Sequence, residues 1–400
     1  MKKLLIKDID LTSKSVLMRV DFNVPLDENQ KVTDDKRIRA ALPTINYALD
    51  QNARLVLMSH LGRPKGEVIP EMSLRPAAET LEELLGKPVR FVKDCIGPKV
   101  ESAVKELKDG EVLVLENLRF HKEEKQNSPD FAQQLAQWGD IYVNDAFGSA
   151  HRAHASTEGV TKFFDICAAG FLMEKEIDYL DNAVSDPEKP FTAILGGAKI
   201  ADKIPVIKNI IDRVDNIVIG GGMMFTFLKA QGLEIGNSLL DESSLELVQD
   251  MLKQNKEKFI LPRDCVISDV FDAKNRTVGT IKTVSVDSIP SGWMGLDIGP
   301  KSIEKFAEIC RASKTVVWNG PMGVFEIKET ANGTLEIAKA LAEVTKKGVI
   351  TIIGGGDSAS AVKKAGVASD MSHVSTGGGA SLELLQGKAL PGVEALTDKS

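Results

Sequence analysis

Nine short β-rich runs alternate with helix-period stretches along this chain, and that alternation narrows its fold more than any other feature. In the first half the runs are "SVLMRV" (15–20), "RLVLMS" (54–59), "EVLVLE" (111–116) and "DIYVN" (140–144). In the second half they are "TAIL" (192–195), "NIVI" (216–219), "FIL" (259–261), "TVVWN" (315–319) and "GVITII" (348–353). Between them, stretches such as "SLRPAAETLEELLG" and "TLEIAKALAEVTKKG" repeat apolar residues at helical spacing. Strands separated by helices imply parallel, doubly wound α/β sheets. At 400 residues the chain exceeds one comfortable core, so two such Rossmann-like domains are expected. Met173, Ile177, Leu180 and Val184 form one apolar helical stripe, and Pro187 and Pro190 end it. A connecting helix is therefore predicted over 172–186, between an N-terminal domain (1–171) and a C-terminal one (187–379).

Charge and cysteine usage narrow the class of function. The net charge is −7 and no basic tail exists, which argues against nucleic acid as a partner. Small anions remain open, because they respond to local charge. Cys95, Cys167, Cys265 and Cys310 lack metal or redox spacing, so reduced thiols in a cytoplasmic protein are expected. "MKKLLIKDID" is too short an apolar stretch for a signal peptide, and no run approaches the ~18 residues a membrane helix needs.

Ligands of open parallel sheets bind beyond the carboxyl ends of the strands. In the first half, polar loops often rich in arginine follow the strands. "DFNVP" brings Asp21 and Asn23 with Arg37 downstream, "HLGRP" brings His60 and Arg63, "NLRF" brings Arg119, and "VNDAFGSAHRAHAS" brings Arg152. Guanidinium forks match phosphate and carboxylate oxygens, and arginines gathered at one sheet edge repel unless an anion joins them. In the last of these loops Asp145, His151 and His154 also form a possible metal trio, so a metal site and an anion clamp both remain open there.

In the second half glycine follows the strands: "GGAK" (196–199), "GGG" (220–222), "GPMG" (320–323), "GGGDS" (354–358) and "GGG" (377–379). Glycine lets backbone amides approach a ligand, and a helix N-terminus behind them favours negative charge. Five such turns suggest a nucleotide cradle. No Walker A loop occurs. "GGGDSA" satisfies G-x-G-x-x-A after a strand, a weak dinucleotide signal. Asp357 is read as a magnesium ligand, or else as a helix-start acid beside the cap candidate Ser358. In "GGAKIADKIPVIKNIIDRV" the expected buried stripe is Ile200, Ile204, Ile207, Ile211 and Val214, with the helix starting near 201–203 so that Pro205 is tolerated. Lys199 and Lys203 stand at its start, where the dipole disfavours cations unless phosphate occupies the space ahead.

Together "VLMRVDFNVP", "SHLGRP", "ENLRFH", "VNDAFGSAHRAH", "LGGAKIADK", "GGGMMFTFLK", "GWMGLDIGP", "WNGPMGVFE", "IIGGGDS" and "HVSTGGGASLELL" resemble the phosphoglycerate kinase family from the first strand to the C-terminus. The resemblance implies two α/β domains with a cleft between them, a tail from about 380 to 400 completing the first, and a monomer. It implies Mg2+-dependent, reversible phosphoryl transfer from 1,3-bisphosphoglycerate to ADP, giving 3-phosphoglycerate and ATP. Asp21, Phe22, Asn23, Arg37, His60, Leu61, Gly62, Arg63, Arg119 and Arg152 would hold the acid substrate. Gly196, Lys203, Gly220, Gly221, Gly295, Glu326, Gly355, Gly356, Asp357 and Ser358 would hold the nucleotide, with Glu326 on the ribose and Asp357 on magnesium. Arg37, Lys199 and Lys203 would act on the transferring group. Arg152 would then be an anion ligand and no zinc is expected. Ser149 and Ser358, where threonine is common, and Met223–Met224 depart from the pattern without removing a charge or a required glycine.

Phosphoryl transfer needs positioning and charge stabilisation, and the attacking oxygen is already anionic, so no general base is expected. Closure of a hinge would keep water from the acyl phosphate. Two other readings compete: an NAD-dependent oxidoreductase drawn from "GGGDSA", and a non-catalytic two-domain anion receptor.

Overall fold

The computed structural model describes residues 2–399; the side chains of 182–184, and with them Val184 of the expected stripe, lie outside the described residues. Six strands come first: β1 (Ser15–Arg19), β2 (Arg54–Met58), β3 (Val89–Phe91), β4 (Val112–Val114), β5 (Ile141–Asn144) and β6 (Cys167–Ala169). They pair in the order β3-β4-β2-β1-β5-β6, and every pairing is parallel. Val16, Leu17 and Met18 of β1 are all fully buried. Both faces are therefore covered, which is why this strand reads as a continuous apolar run rather than an alternation. The outer strands β3 and β6 were not anticipated, because three residues each carry no periodicity.

The next strands are β7 (Phe191–Leu195), β8 (Asn216–Ile219), β9 (Phe259–Ile260), β10 (Asp264–Ser268), β11 (Phe271–Asp272), β12 (Thr277–Val278), β13 (Ile281–Ser285), β14 (Met294–Ile298), β15 (Thr315–Asn319), β16 (Ile350–Gly354) and β17 (His373–Val374). A second parallel sheet runs β17-β16-β15-β7-β8-β9. Between β9 and β15 the chain inserts an antiparallel sheet, β13-β10-β14, and the hairpin β11–β12. The expectation of parallel sheets alone missed this insertion. Its outer strand β13 buries no residue fully, so its sequence looks like a loop.

Contacts divide the chain into Met1–Asp178 with Ala389–Ser400, and Tyr179–Lys388. The division falls within the helix Phe171–Ser185, whose Met173, Ile177 and Leu180 are buried. The helix Gly378–Leu385 groups with the second unit, so the returning tail begins at Ala389 rather than near 380. Lys3 ties that tail into the first unit: its buried ammonium donates to Leu396 O at 3.0 Å and Asp398 Oδ1 at 2.7 Å. Asn144 Nδ2, at the end of β5, donates to Gly392 O at 3.1 Å.

Among the described residues the four cysteines are free and buried. No described helix is long and apolar enough to cross a membrane.

Candidate active site

In the first unit the loops after β1, β2, β4 and β5 converge at the carboxyl edge of the sheet. Parallel pairing forces this, since all four strands point the same way. Arg37, near the start of the helix Lys36–Asp50, meets Asp21 at 2.7 Å. Asn23 Oδ1 accepts from Gly62 N at 2.9 Å, and Arg119 Nη1 donates to Gly62 O at 2.7 Å. Phe22 is fully buried and Leu61 nearly so, and both backbone amides are already engaged, Phe22 N with Ser59 Oγ and Leu61 N with Asn117 Oδ1, so neither side chain nor either N–H is offered to a ligand. Arg63 and Arg152 are exposed.

Arg19, which the sequence reading passed over as a strand residue, lies beneath this edge with no exposed surface. Its Nε donates to Ser156 Oγ at 2.9 Å, and Ser156 Oγ donates to Glu124 Oε1 at 2.6 Å. The Arg19 Nη2 group lies 2.9 Å from His60 Nδ1. A guanidinium can only donate, so His60 Nδ1 accepts and the ring is neutral. Consistently, burial and then the charges of Arg19, Arg119 and Arg37 hold His60 well below its usual range. Burial and then Arg119, Arg19 and Arg152 push His154 down to about 3. Burial, followed by Arg19 and Arg152, lowers Arg119 to about 10. Its Nε is buried with no partner among the described residues.

Burial is the largest cause of all three shifts, and the positive charges add to it. Arg19, Arg37, Arg119 and Arg152 are close enough to feel or impose a common positive field, and Glu124 and Asp21 oppose it at Arg119. An anion with several oxygens relieves such a cluster. The signal for Arg19 was present in "LMRVDF", a charge inside an apolar run. His154 is buried and neutral beside these arginines.

Asp145 does not join His151 and His154 as a ligand set. Its Oδ1 accepts from Leu172 N at 2.9 Å and Met173 N at 3.3 Å, at the start of the helix Phe171–Ser185. A different group, Asp94, Cys95 and His121, brings metal-type ligands within 4.8 Å of one another. There His121 Nε2 donates to Asp94 Oδ1 at 2.9 Å, that oxygen also accepts from Cys95 N at 2.7 Å, and burial pushes the thiol well up. His121 and Asp94 thus tie the turn after β4 to the loop after β3, and the Cys95 thiol stays neutral beside them.

In the second unit a pocket of about 360 Å3 opens at the carboxyl ends of β7, β15 and β16. Gly196, Lys199, Lys203, Gly355, Gly356, Asp357 and Ser358 line it, together with Asn319 and Gly378. Lys203 Nζ donates to Asn319 Oδ1, and burial lowers its pKa to about 8 against the opposing charges of Asp202 and Asp357. Asn319, at the end of β15, was not singled out; an amide directly before a glycine turn was the available signal.

Several local expectations need correction. The helix begins at Ile204, preceded by a 3-10 turn over Ile200–Asp202, so Lys199 and Lys203 are not two positions of one α-helix. The turn resets the phase, and Val206, Ile207 and Ile210 are buried with Ile200 and Val214, whereas Ile204 and Ile211 are only half-buried. Ser358 does not cap its own helix, Gly356–Lys364; its buried Oγ accepts from Gly320 N at 2.7 Å.

Gly220, Gly221, Gly295 and Glu326 are not among the residues lining the pocket. A Cβ on Gly221, at φ +63°, would lie 2.4 Å from Gly197 N, so this glycine allows the loops after β7 and β8 to touch. Gly295 serves packing against Phe225, whose ring would stand 2.0 Å from a Cβ there. Glu326 is exposed.

The model of the family described as phosphoglycerate kinase matches residues 6–388. A chloroplastic phosphoglycerate kinase of Volvox carteri is 58% identical over 98% of this chain and 84% of its own length. A cytosolic one of Triticum aestivum is 57% identical over 98% of this chain and 97% of its own. The solved structure of phosphoglycerate kinase from Coxiella burnetii superposes with a TM-score of 0.88 at 38% identity, covering 98% of both chains. With a model spanning nearly its whole length and relatives this similar, the chain belongs to the phosphoglycerate kinase family.

Proposed function

We infer that the arginine-lined edge of the first unit takes the acid substrate and the glycine-lined pocket of the second takes the nucleotide. The reaction is the reversible transfer of a phosphoryl group between the acyl phosphate of 1,3-bisphosphoglycerate and ADP, giving 3-phosphoglycerate and ATP. The enzyme is a glycolytic phosphotransferase with a carboxyl group as acceptor. The observation that carries the division of substrates is the mutual positive field of Arg19, Arg37, Arg119 and Arg152, with Arg119 Nε buried and without a partner among the described residues. A substrate with a phosphate and a carboxylate satisfies that surplus, whereas the pocket of the second unit offers glycine backbone and two lysines, Lys199 and Lys203.

Asp357 and Asp202 supply hard oxygen donors in that pocket. Mg2+ takes one or two carboxylates and completes its shell with phosphate oxygens and water, so the donor set fits it, with Asp357 as ligand. The ion would neutralise charge on the nucleotide phosphates. Gly355 and Gly356 precede Asp357 at a helix start, where amides favour phosphate. Lys203 balances charge as the phosphoryl group moves, with Lys199 and Arg37 assisting. Glu326 is assigned to the ribose. The attacking oxygen is anionic in both directions, so the protein moves no proton. Transfer requires both ligands in line with water excluded, and closure upon them precedes the chemical step.

A monomer in the cytoplasm is the accompanying proposal; the four free, buried thiols bear on its compartment alone, being of the kind a reducing one keeps free. A coupled assay for ATP formation from an acyl-phosphate donor, run with and without Mg2+, tests the reaction. Turnover that ignores Mg2+ would contradict the role given to Asp357.

A further inference from the structure

The acid-substrate residues come from loops with no mutual sequence relationship, so something must set their spacing. Asn117 lies just after β4 and is 1% exposed. Its carboxamide makes four hydrogen bonds. Oδ1 accepts from Leu61 N and from Arg119 N, both at 3.1 Å. Nδ2 donates to Leu61 O at 2.7 Å and Met72 O at 2.8 Å. An amide side chain has two donor hydrogens and two acceptor lone pairs, so the group is used to capacity.

The pattern at Leu61 explains what this does. One carboxamide binds both the N–H and the C=O of that residue, as a neighbouring strand would. β2 and β4 pair in parallel as far as Leu57 and Val114. Beyond that point the backbone ladder gives way to Leu115 N bonding Leu57 O, Leu118 N bonding Ser59 O, and then Asn117. The side chain thus continues the pairing of two strands into their loops. On one loop it holds the residue between His60 and Gly62; on the other it holds the amide of Arg119 itself.

The same two loops are tied at their tips, where Arg119 Nη1 reaches Gly62 O. Gly62 N in turn binds Asn23, and Phe22 N binds Ser59 Oγ, which brings in the loop after β1. The four bonds of the Asn117 carboxamide all go to backbone groups, not to ligand-facing side chains. It acts one step behind them, through backbone groups.

We propose that Asn117 is a positioning residue for the acid substrate: its carboxamide sets the register between the 59–63 loop and the 118–120 turn, so that His60 and Arg119 face one anion. Shape alone does not fill this role. Aspartate matches the outline but presents a carboxylate to the carbonyls of Leu61 and Met72 and adds negative charge behind an anion site. Alanine leaves four backbone groups without that partner in a buried place.

The inference rests on the assignment of the acid substrate to the first unit, and kinetics of the full-length protein separate the two. Asn117→Ala is expected to raise KM for 3-phosphoglycerate by about tenfold or more while KM for ATP stays within about twofold, as loss of substrate alignment predicts. A role confined to stability would lower active enzyme and leave both KM values in place, which would overturn the proposal. The double variant with Arg119→Ala adds a second readout. Its effect on KM should fall short of the product of the single effects, because Asn117 acts partly through Arg119; independent effects would also overturn it.

Should Asn117→Ala not fold, Asn117→Asp serves. Its KM for 3-phosphoglycerate, relative to the parent at each pH, is expected to fall as pH drops from 8 to 6 and the carboxyl regains a donor hydrogen. A ratio that does not change with pH counts against the proposal. If Arg119→Ala leaves KM for the acid unmoved, the substrate assignment itself has failed, whatever Asn117 does.

Discussion

Lys203 Nζ donates to Asn319 Oδ1, joining the residue just ahead of the helix Ile204–Ile210 to the carboxyl end of β15. The bond fixes an ammonium at the pocket wall, and Asn319 Nδ2 is left buried without a partner among the described residues. A charge held in place before the reaction stabilises the transition state without reorganisation. Lys203→Ala is therefore expected to cut kcat by ~10²-fold or more, the size of losing one preorganised stabiliser. Arg37→Ala should act similarly. Steady-state kinetics decide it: near-normal turnover removes either residue from the assigned role.

The lowered pKa of Lys203 has a binding consequence. Burial holds it near 8 in the free pocket. Phosphate oxygens beside the ammonium favour the charged form and raise the value. Between the two pKa values the complex holds more protons than the free protein. Nucleotide binding near pH 8.5 should thus take up protons and weaken as pH rises further, and Lys203→Met should abolish the uptake. Calorimetry in buffers of different ionisation enthalpy measures it; equal observed heats in all of them, which mean no proton uptake, sink the idea.

Arg119→Ala should chiefly raise KM for the acid substrate, since Arg119 belongs to the cation cluster of the first unit and is not part of the pocket. A loss of ~10-fold or more is expected for a buried charged hydrogen-bonding group. A comparable loss in nucleotide affinity would mean that the two sites are assigned to the wrong units.

Asp145 makes stability depend on pH in a direction opposite to most carboxylates. Burial raises it to about 7 in the folded protein, against 3.8 as the ordinary value, despite the amide bonds at the helix start. The folded state therefore binds the extra proton between those values, and stability at this site falls as pH rises through that window. The slope for one group is at most about 1.4 kcal/mol per pH unit. Asp145→Asn should remove it. Chemical denaturation at pH 5, 6 and 7 should show the parent gaining on the variant as pH falls; parallel curves contradict the argument.

Gly221→Ala should destabilise the second unit by about 2 kcal/mol or more, since it combines a positive φ with overpacking. Its Cβ would meet backbone atoms of Gly197 and Pro321, which cannot rotate away. A melting temperature unchanged from the parent's would show that the two loops are free to separate.

Much of the site was legible because arginine and glycine after strands are local signals. "NLRF" and "GGGDS" mark a candidate anion site and a candidate phosphate turn before any contact is known. Arg19 was not legible in the same way: its partner Ser156 lies 137 residues away, and in "SVLMRV" it occupies a position that pattern assigns to the core. Asn319 and Asn117 were missed for a related reason. An asparagine after a strand is common, and only its partners distinguish a clamp from a turn.

The sequence by itself determined the two α/β halves, the strands at the centre of each sheet and the chemistry at their ends. Strands buried on both faces are apolar along most of their length, and that pattern is written residue by residue. Tertiary structure alone decided which charges share a field, where the antiparallel insertion packs, and which face of the helix Ile204–Ile210 is buried. Those outcomes depend on neighbours brought in by strand pairing and on a 3-10 turn that shifts the helical phase, and neither leaves a periodic mark in the chain.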